Sequence, residues 1–193
     1  MAYKQHFIEW FSGKQLPSYW TTTNNNGTNT FAMSDEADGG FSILNGGTNF
    51  SDAQINFGAK RQYAHNASIF IAVAKRVALG DSGSYDVGLS ADNYIASSPS
   101  SKDFGCITVD TGNYDLKSSD GTANSATAGS IASDTSFHVH KLVFGSSNLV
   151  SSIDGVADIT KTTNRPSTNL QPHCETFDNA TELRIRYMEC YNT

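Results

Sequence analysis

The stretch Ala67-Ser68-Ile69-Phe70-Ile71-Ala72-Val73-Ala74-Lys75-Arg76-Val77 decides the fold. Side chains alternate sides along an extended chain, so Ile69, Ile71 and Val73 share one face and Phe70, Ala72 and Ala74 the other. Both faces are apolar, which predicts a central strand covered on both sides. No segment of the chain keeps apolar residues at helical spacing for three turns. Asp81-Ser82-Gly83 reads as a turn, and Tyr85-Asp86-Val87-Gly88-Leu89 beyond it alternates cleanly.

Working outward, strand and turn signals follow one another along the chain. Residues 137–144, 149–153 and 156–160 read as consecutive strands, the last two joined at Asp154-Gly155. That dipeptide is a strong hairpin signal, because both central positions of the turn want positive φ. A loop containing Pro166 and Pro172 follows, and 182–191 alternates as a closing strand. Residues 104–110 and 114–117 form a hairpin, and 118–136, poor in apolar side chains, reads as a mobile surface loop. Toward the N-terminus, 6–11 is an edge strand, 16–20 a second extended piece, and 21–30 a polar loop. Short strands in this number predict two packed antiparallel sheets, an all-β sandwich, with a closed barrel as the alternative.

Composition agrees. Of 193 residues, 74 are Ser, Thr, Asn or Gly, and only 17% are charged. That favours strands and turns over helices. The length predicts a single domain over 1–193, with residues 1–15 as an N-terminal arm or edge strand. The net charge is −6 and no basic cluster exceeds two residues, which argues against nucleic acid as a partner. No apolar run approaches the roughly 20 residues of a membrane span, and the first residues lack an apolar signal core. The expectation is a chain made and used without secretion, or one already mature. Cys106, Cys174 and Cys190 fit no zinc spacing. They read as buried free thiols, with a Cys174–Cys190 pair as the alternative.

The run Phe137-His138-Val139-His140-Lys141-Leu142-Val143-Phe144, followed by Val150-Ser151-Ser152-Ile153-Asp154-Gly155-Val156, resembles the concanavalin A-like lectin/glucanase jelly rolls. In those proteins a strand leads through a turn to a strand ending in Asp-Gly. Leu183-Arg184-Ile185-Arg186-Tyr187-Met188 is similar to their final strand, and Phe7, Leu16-Pro17, Trp20 and Asp38-Gly39-Gly40 fit their opening. The resemblance implies a LamG-like jelly roll and leaves the activity open, since this sandwich hosts lectins, hydrolases and inert modules. Laminarinase-type members carry Glu-x-Asp-x-Glu on one strand, which places alternate carboxylates on one face. The five glutamates here, Glu9, Glu36, Glu175, Glu182 and Glu189, form no such strand. The expectation is therefore a non-enzyme.

Several residues are candidates for binding. Asp86, Asp92, Asn93 and Tyr94 combine planar polar groups with an aromatic ring, as sugar sites do, and Trp20 with Tyr19 offers the same chemistry. Against this stands ordinary loop polarity in an Asn- and Ser-rich chain. Asp35, Glu36 and Asp38 could serve a Ca²⁺ ion, but the local ligand set is short. His138 and His140, with His173 and Cys174, could serve a transition metal, without any spacing signature. The expectation is no cofactor. Gly80-Asp81-Ser82-Gly83 is one residue short of a nucleophile elbow.

Three functions follow. The first is a virion structural or decoration protein, similar in style to jelly-roll modules of phage and viral particles, displayed at the virion surface on a capsid or tail. It would be made in the host cytoplasm, bind other virion subunits or itself, and hold surface glycans weakly. The second is a carbohydrate-binding module. The third is a β-glucan hydrolase with an atypical acid pair.

Overall fold

The computed structural model describes residues 5–25, 27–34, 39–47, 52–58, 60–77, 83–91, 101–109, 112–178 and 180–193. Among them are two antiparallel sheets. Sheet 1 runs β13 (Val156–Lys161), β12 (Leu149–Ile153), β11 (His138–Phe144), β6 (Ser68–Arg76), β15 (Glu182–Asn192), β4 (Phe41–Leu44), β3 (Thr30–Met33), and β1 (His6–Trp10) also pairs with β15. Sheet 2 runs β10 (Asn124–Thr127), β9 (Tyr114–Asp120), β8 (Asp103–Val109), β7 (Ser84–Ser90), β14 (Gln171–Phe177), β5 (Asp52–Asn56), β2 (Thr21–Asn25). This is the two-sheet sandwich that the alternation predicts. No helix among the described residues is long and apolar enough to cross a membrane.

The inward faces meet in one core. Phe70, Ala72 and Ala74 of β6 and Leu183, Ile185, Met188 and Cys190 of β15 pack with Val87, Leu89, Ile107 and Cys174 of sheet 2. All three cysteines are buried free thiols, and Cys174 and Cys190 lie in different sheets. The Asp154-Gly155 hairpin forms as predicted, with φ of 50° and 82° joining β12 to β13.

Four elements depart from the sequence reading. Residues 21–25 form the edge strand β2, because Thr21, Thr22 and Thr23 are β-branched and pair against β5. The extended piece at 16–20 forms no strand; Trp20 turns back to donate its amide to the Pro17 carbonyl at 3.1 Å. Within 118–136, β9 continues to Asp120 and β10 pairs with it. The Asp120 carboxylate accepts from Thr122 N at 3.0 Å and Ala123 N at 2.8 Å, which closes that turn without apolar side chains. The loop assigned around Pro172 holds β14, which occupies the middle of sheet 2. Pro172 lies one residue beyond the β14–β5 ladder, which runs from His173↔Asn56 to Phe177↔Asp52, so it interrupts no pairing there.

A fifth difference concerns β6 itself. It is central, but only one face is covered. Phe70, Ala72 and Ala74 are fully buried, whereas Ile69, Ile71 and Val73 remain partly open on the outside of sheet 1.

Close approach of the two sheets requires a missing side chain at Gly105 on β8. A Cβ there would stand 2.8 Å from Phe144 Cε1 and 2.9 Å from Leu149 Cδ2. Gly105→Ala is expected to lower stability by about 1–3 kcal/mol through overpacking. A urea titration reads this as a lower midpoint at unchanged slope.

Candidate functional site

Sheet 2 has an unusual outer face. On β5, β7, β8 and β14 nearly every residue is buried, on both faces. The period of two sends Ala53, Ile55, Val87, Ile107 and Cys174 inward. Asp52, Gln54, Asn56, Asp86, Ser90, Thr108, Gln171, His173 and Glu175 form a buried polar floor on the other side. Ladder pairing sets them in rows. One row reads Gln54, Glu175, Asp86, Thr108, Asp115; the next reads Asn56, His173, Gly88, Cys106, Lys117.

Glu175 and Asp86 are therefore direct cross-strand neighbours on one face. Such pairs hold their Cβ atoms about 4.5–5.5 Å apart. Both carboxylates are engaged. Glu175 Oε2 lies 3.1 Å from His173 Nε2, and Asp86 Oδ2 lies 3.9 Å from Lys117 Nζ. Both are also closed to solvent, at 1% and 3% exposure. Asp52 sits alongside, accepting from Asn25 Nδ2 at 3.2 Å. Burial is the main force pushing its pKa up to about 6, and the charges of Asp178 and Asp86 add to it. One oxygen each of Asp52 and Asp86, Oδ1, is buried without a hydrogen-bond partner.

The candidates from the sequence scatter. Asp86 belongs to this floor, while Asp92, Asn93 and Tyr94 lie outside the described residues, as do Asp35, Glu36 and Asp38. Trp20 is 6% exposed, enclosed by Phe7, Phe11 and Phe57 at ring separations of 5.8, 5.9 and 4.7 Å. The structure thus places it inside the sandwich, with no free ring face. The histidines do not converge. His138 bridges Asp134 and Asp154 at 2.9 and 2.6 Å, His140 is buried against the Tyr85 hydroxyl at 3.1 Å, and His173 lies in the other sheet. Cys174, next to His173 on β14, points to the opposite face.

Of the two candidate rings at 19 and 20, Tyr19 stays accessible. It is 41% exposed and borders a depression of about 410 Å³ together with Phe7, Phe57, Lys60 and Gln62. Phe7 and Phe57 meet its ring edge-on, each at 5.9 Å, and its hydroxyl donates to the Glu9 carboxylate. These contacts fix the ring before any ligand arrives. Lys60 and Gln62 add donors and an acceptor at the rim.

Sequence reasoning missed most of the floor, and the signal was present. In Gln171-Pro172-His173-Cys174-Glu175-Thr176-Phe177 the larger polar groups recur every second residue, and Asp52-Ala53-Gln54-Ile55-Asn56 does the same. That is strand alternation written in amides and carboxylates instead of apolar side chains.

No family model matches this chain, and no curated protein is similar to it in sequence. Solved structures share its fold. A protein of unknown function from Shewanella oneidensis MR-1 superposes with a TM-score of 0.72 at 12% identity, over 98% of this chain and 86% of that one. A β-glucanase from Bacillus licheniformis gives 0.66 at 12% identity, over 97% and 98%. The carbohydrate recognition domain of Emp47p gives 0.64 at 12% identity, over 97% and 94%. At these identities the likeness establishes the fold, a concanavalin A-like jelly roll, and no activity.

The buried imidazoles set the acid limit of the fold. Burial pushes His140 and His173 down to about 4. Unfolded imidazoles titrate near 6.5, so between about 4 and 6.5 the unfolded chain binds more protons at these sites. Their contribution is present above about pH 6.5 and is lost as pH falls toward 4, on the order of 3 kcal/mol each at most. Asp52 acts oppositely, favouring the fold as pH falls from about 6 toward 4. His138, held above the ordinary imidazole range by Asp154 and Asp134, sides with Asp52, but the two buried imidazoles shift further, so the melting temperature is expected to drop between pH 7 and 5. His140→Gln should flatten that dependence, measured by calorimetry across the same range.

Proposed function

We propose that this chain is a non-enzymatic, lectin-like jelly roll that recognises glycans weakly and serves as a decoration subunit of a virion. The observation that carries the glycan reading is Tyr19, a rigidly held, accessible ring beside Lys60 and Gln62. A sugar offers an apolar face to a ring and hydroxyls to flanking polar groups, and this depression supplies both. The fold neighbours include a carbohydrate recognition domain and a glucanase, which is compatible with saccharide chemistry. The non-enzymatic reading is supported by the engagement and burial of Asp86 and Glu175. A virion role is supported by the acidic, Ser- and Thr-rich composition and by the absence of any assembled catalytic constellation among the described residues. Its partners in that role are other virion subunits.

One observation favours a second reading, a β-glucan hydrolase with a cross-strand acid pair. Retaining glycosidases hold two carboxyl groups about 5–5.5 Å apart, and opposed residues such as Asp86 and Glu175 can approach that spacing. Hydrolysis also needs those groups to reach a substrate, which their closure opposes.

Titration against a glycan array and free saccharides tests the first reading. Binding at millimolar affinity is expected, and Tyr19→Ala should weaken it at least about tenfold, equivalent to about 1.4 kcal/mol. Absence of binding to any saccharide at about 10 mM, an affinity weaker than about 3 kcal/mol, removes the glycan reading. Mass spectrometry of purified particles tests the virion role, which fails if the chain is absent from them. Incubation with β-glucans is expected to release no reducing ends. Release that Glu175→Gln abolishes would establish the hydrolase instead.

A further inference from the structure

The outer face of sheet 1 carries the opposite chemistry to the floor of sheet 2. Pairing registers align three rows across β1, β15, β6, β11 and β12. The first is Trp10, Tyr187, Val73, Val139; the second Ile8, Glu189, Ile71, Lys141, Ser152; the third His6, Tyr191, Ile69, Val143, Val150. Trp10 is 66% exposed, Ile8 49% and Val139 39%, and the apolar side chains between them are partly open. Scattered surface hydrophobics are ordinary, but a contiguous field over five strands marks an interface.

We propose that this face binds a second copy of the same chain, back to back, as a two-fold dimer. It does not rest on the glycan reading. Charge chooses the occupant and its orientation. Glu189 and Lys141 are the two cross-strand partners of Ile71, one on each side. A two-fold axis in the interface, running along β6 over Ile71, exchanges the flanking strands. It lays β15 of one copy on β11 of the other, so Glu189 meets Lys141 of the second copy, twice. The same operation sets Tyr187 on Val139 and Tyr191 on Val143. An axis perpendicular to β6 would instead oppose Glu189 to Glu189 and Lys141 to Lys141, which like-charge repulsion disfavours. Self-complementarity about an axis is what an isologous interface requires.

Orientation is also prepared on the acid side. Glu189 is held by the Tyr187 hydroxyl at 2.7 Å and by His6 Nε2 at 2.9 Å, so its carboxylate is fixed before pairing. Size is adequate. Five strands about 4.8 Å apart and three rows about 7 Å apart give a field on the order of 500 Å² per copy. Two copies bury on the order of 1,000 Å², the lower bound of specific interfaces, which predicts a reversible dimer of micromolar affinity. Sheets packed face to face keep their strands aligned within about 30°, which this axis allows.

Sedimentation velocity on the full chain tests the proposal. At about 100 μM the wild type is expected to sediment as a dimer and to dissociate on dilution through a micromolar constant. Lys141→Glu and Glu189→Lys should each weaken the dimer at least about tenfold, and the two together should restore it to within about threefold of wild type. Ile71→Asp should give a monomer, with circular dichroism checking that the sandwich survives. If that variant fails to fold, the charge exchange decides alone. A wild type that is monomeric at about 100 μM overturns the proposal. So does a dimer that Ile71→Asp leaves intact, or one that the double charge exchange does not rescue.

Discussion

The contact between the inward faces of β6 and β15 and those of β7, β8 and β14 governs everything else. Each strand has two faces, and only one can be spent on that contact. Phe70, Ala72 and Ala74 on one side and Val87, Leu89 and Ile107 on the other fill the space between the sheets. Gly105 marks how near the layers come, since no methyl fits between it and Phe144. What remains for function is the outer face of each sheet, and the two outer faces carry opposite chemistry.

The core was legible because apolar alternation reports it directly. Residues 67–77, 137–144, 149–160 and 182–191 all form strands about where their patterns place them, and Asp154-Gly155 turns where positive φ is cheapest. Strands built from polar residues were not legible. β14 hides behind Pro172, whose place beyond the β5 ladder depends on a partner far away in sequence. β5 reads as polar, yet Asp52, Gln54 and Asn56 are all fully buried. Burial of such groups depends on hydrogen bonds from neighbouring strands, which a single strand's sequence does not display. The same limit explains Trp20. Its chemistry suits a sugar, but three aromatic rings contributed from residues 7, 11 and 57 decide that it fills the core.

The acid pair illustrates the point in chemical terms. A search for Glu-x-Asp-x-Glu looks along one strand, where alternate residues share a face. Asp86 and Glu175 share a face across two strands, 89 positions apart in the chain. Register brings them together, and register is set by pairings that no local pattern reveals. Proximity by itself does not make the pair reactive. His173 stays neutral over most of the pH range because burial opposes its charge, so its hydrogen bond to Glu175 adds no imidazolium to the floor. Lys117 offsets the charge of Asp86 from its half-open position. His173 and Lys117 each stand at one oxygen of these acids, and a reactive centre would need at least one of the acids free to exchange its proton with a substrate.

The exposed face of β6 gives the opposite lesson. The sequence shows two apolar faces and the fold covers one of them. A strand with Ile69, Ile71 and Val73 on the outside costs solubility unless something covers it. Glu189 and Lys141 within that field make it selective, because a purely apolar surface accepts any apolar partner in any orientation. Two charges of opposite sign, placed symmetrically about one isoleucine, favour the stacking that exchanges them over the one that sets each against itself. In such a pair the two sheet 2 faces point away from each other, while the depressions beside Tyr19, bordered by His6 and Ile8 of β1, lie at the margin of the paired face and occur twice per particle. Two weak sites on one rigid body gain avidity toward a repetitive ligand without any added contact. Weak recognition at a single depression and strong attachment to a dense glycan surface are therefore compatible in one molecule.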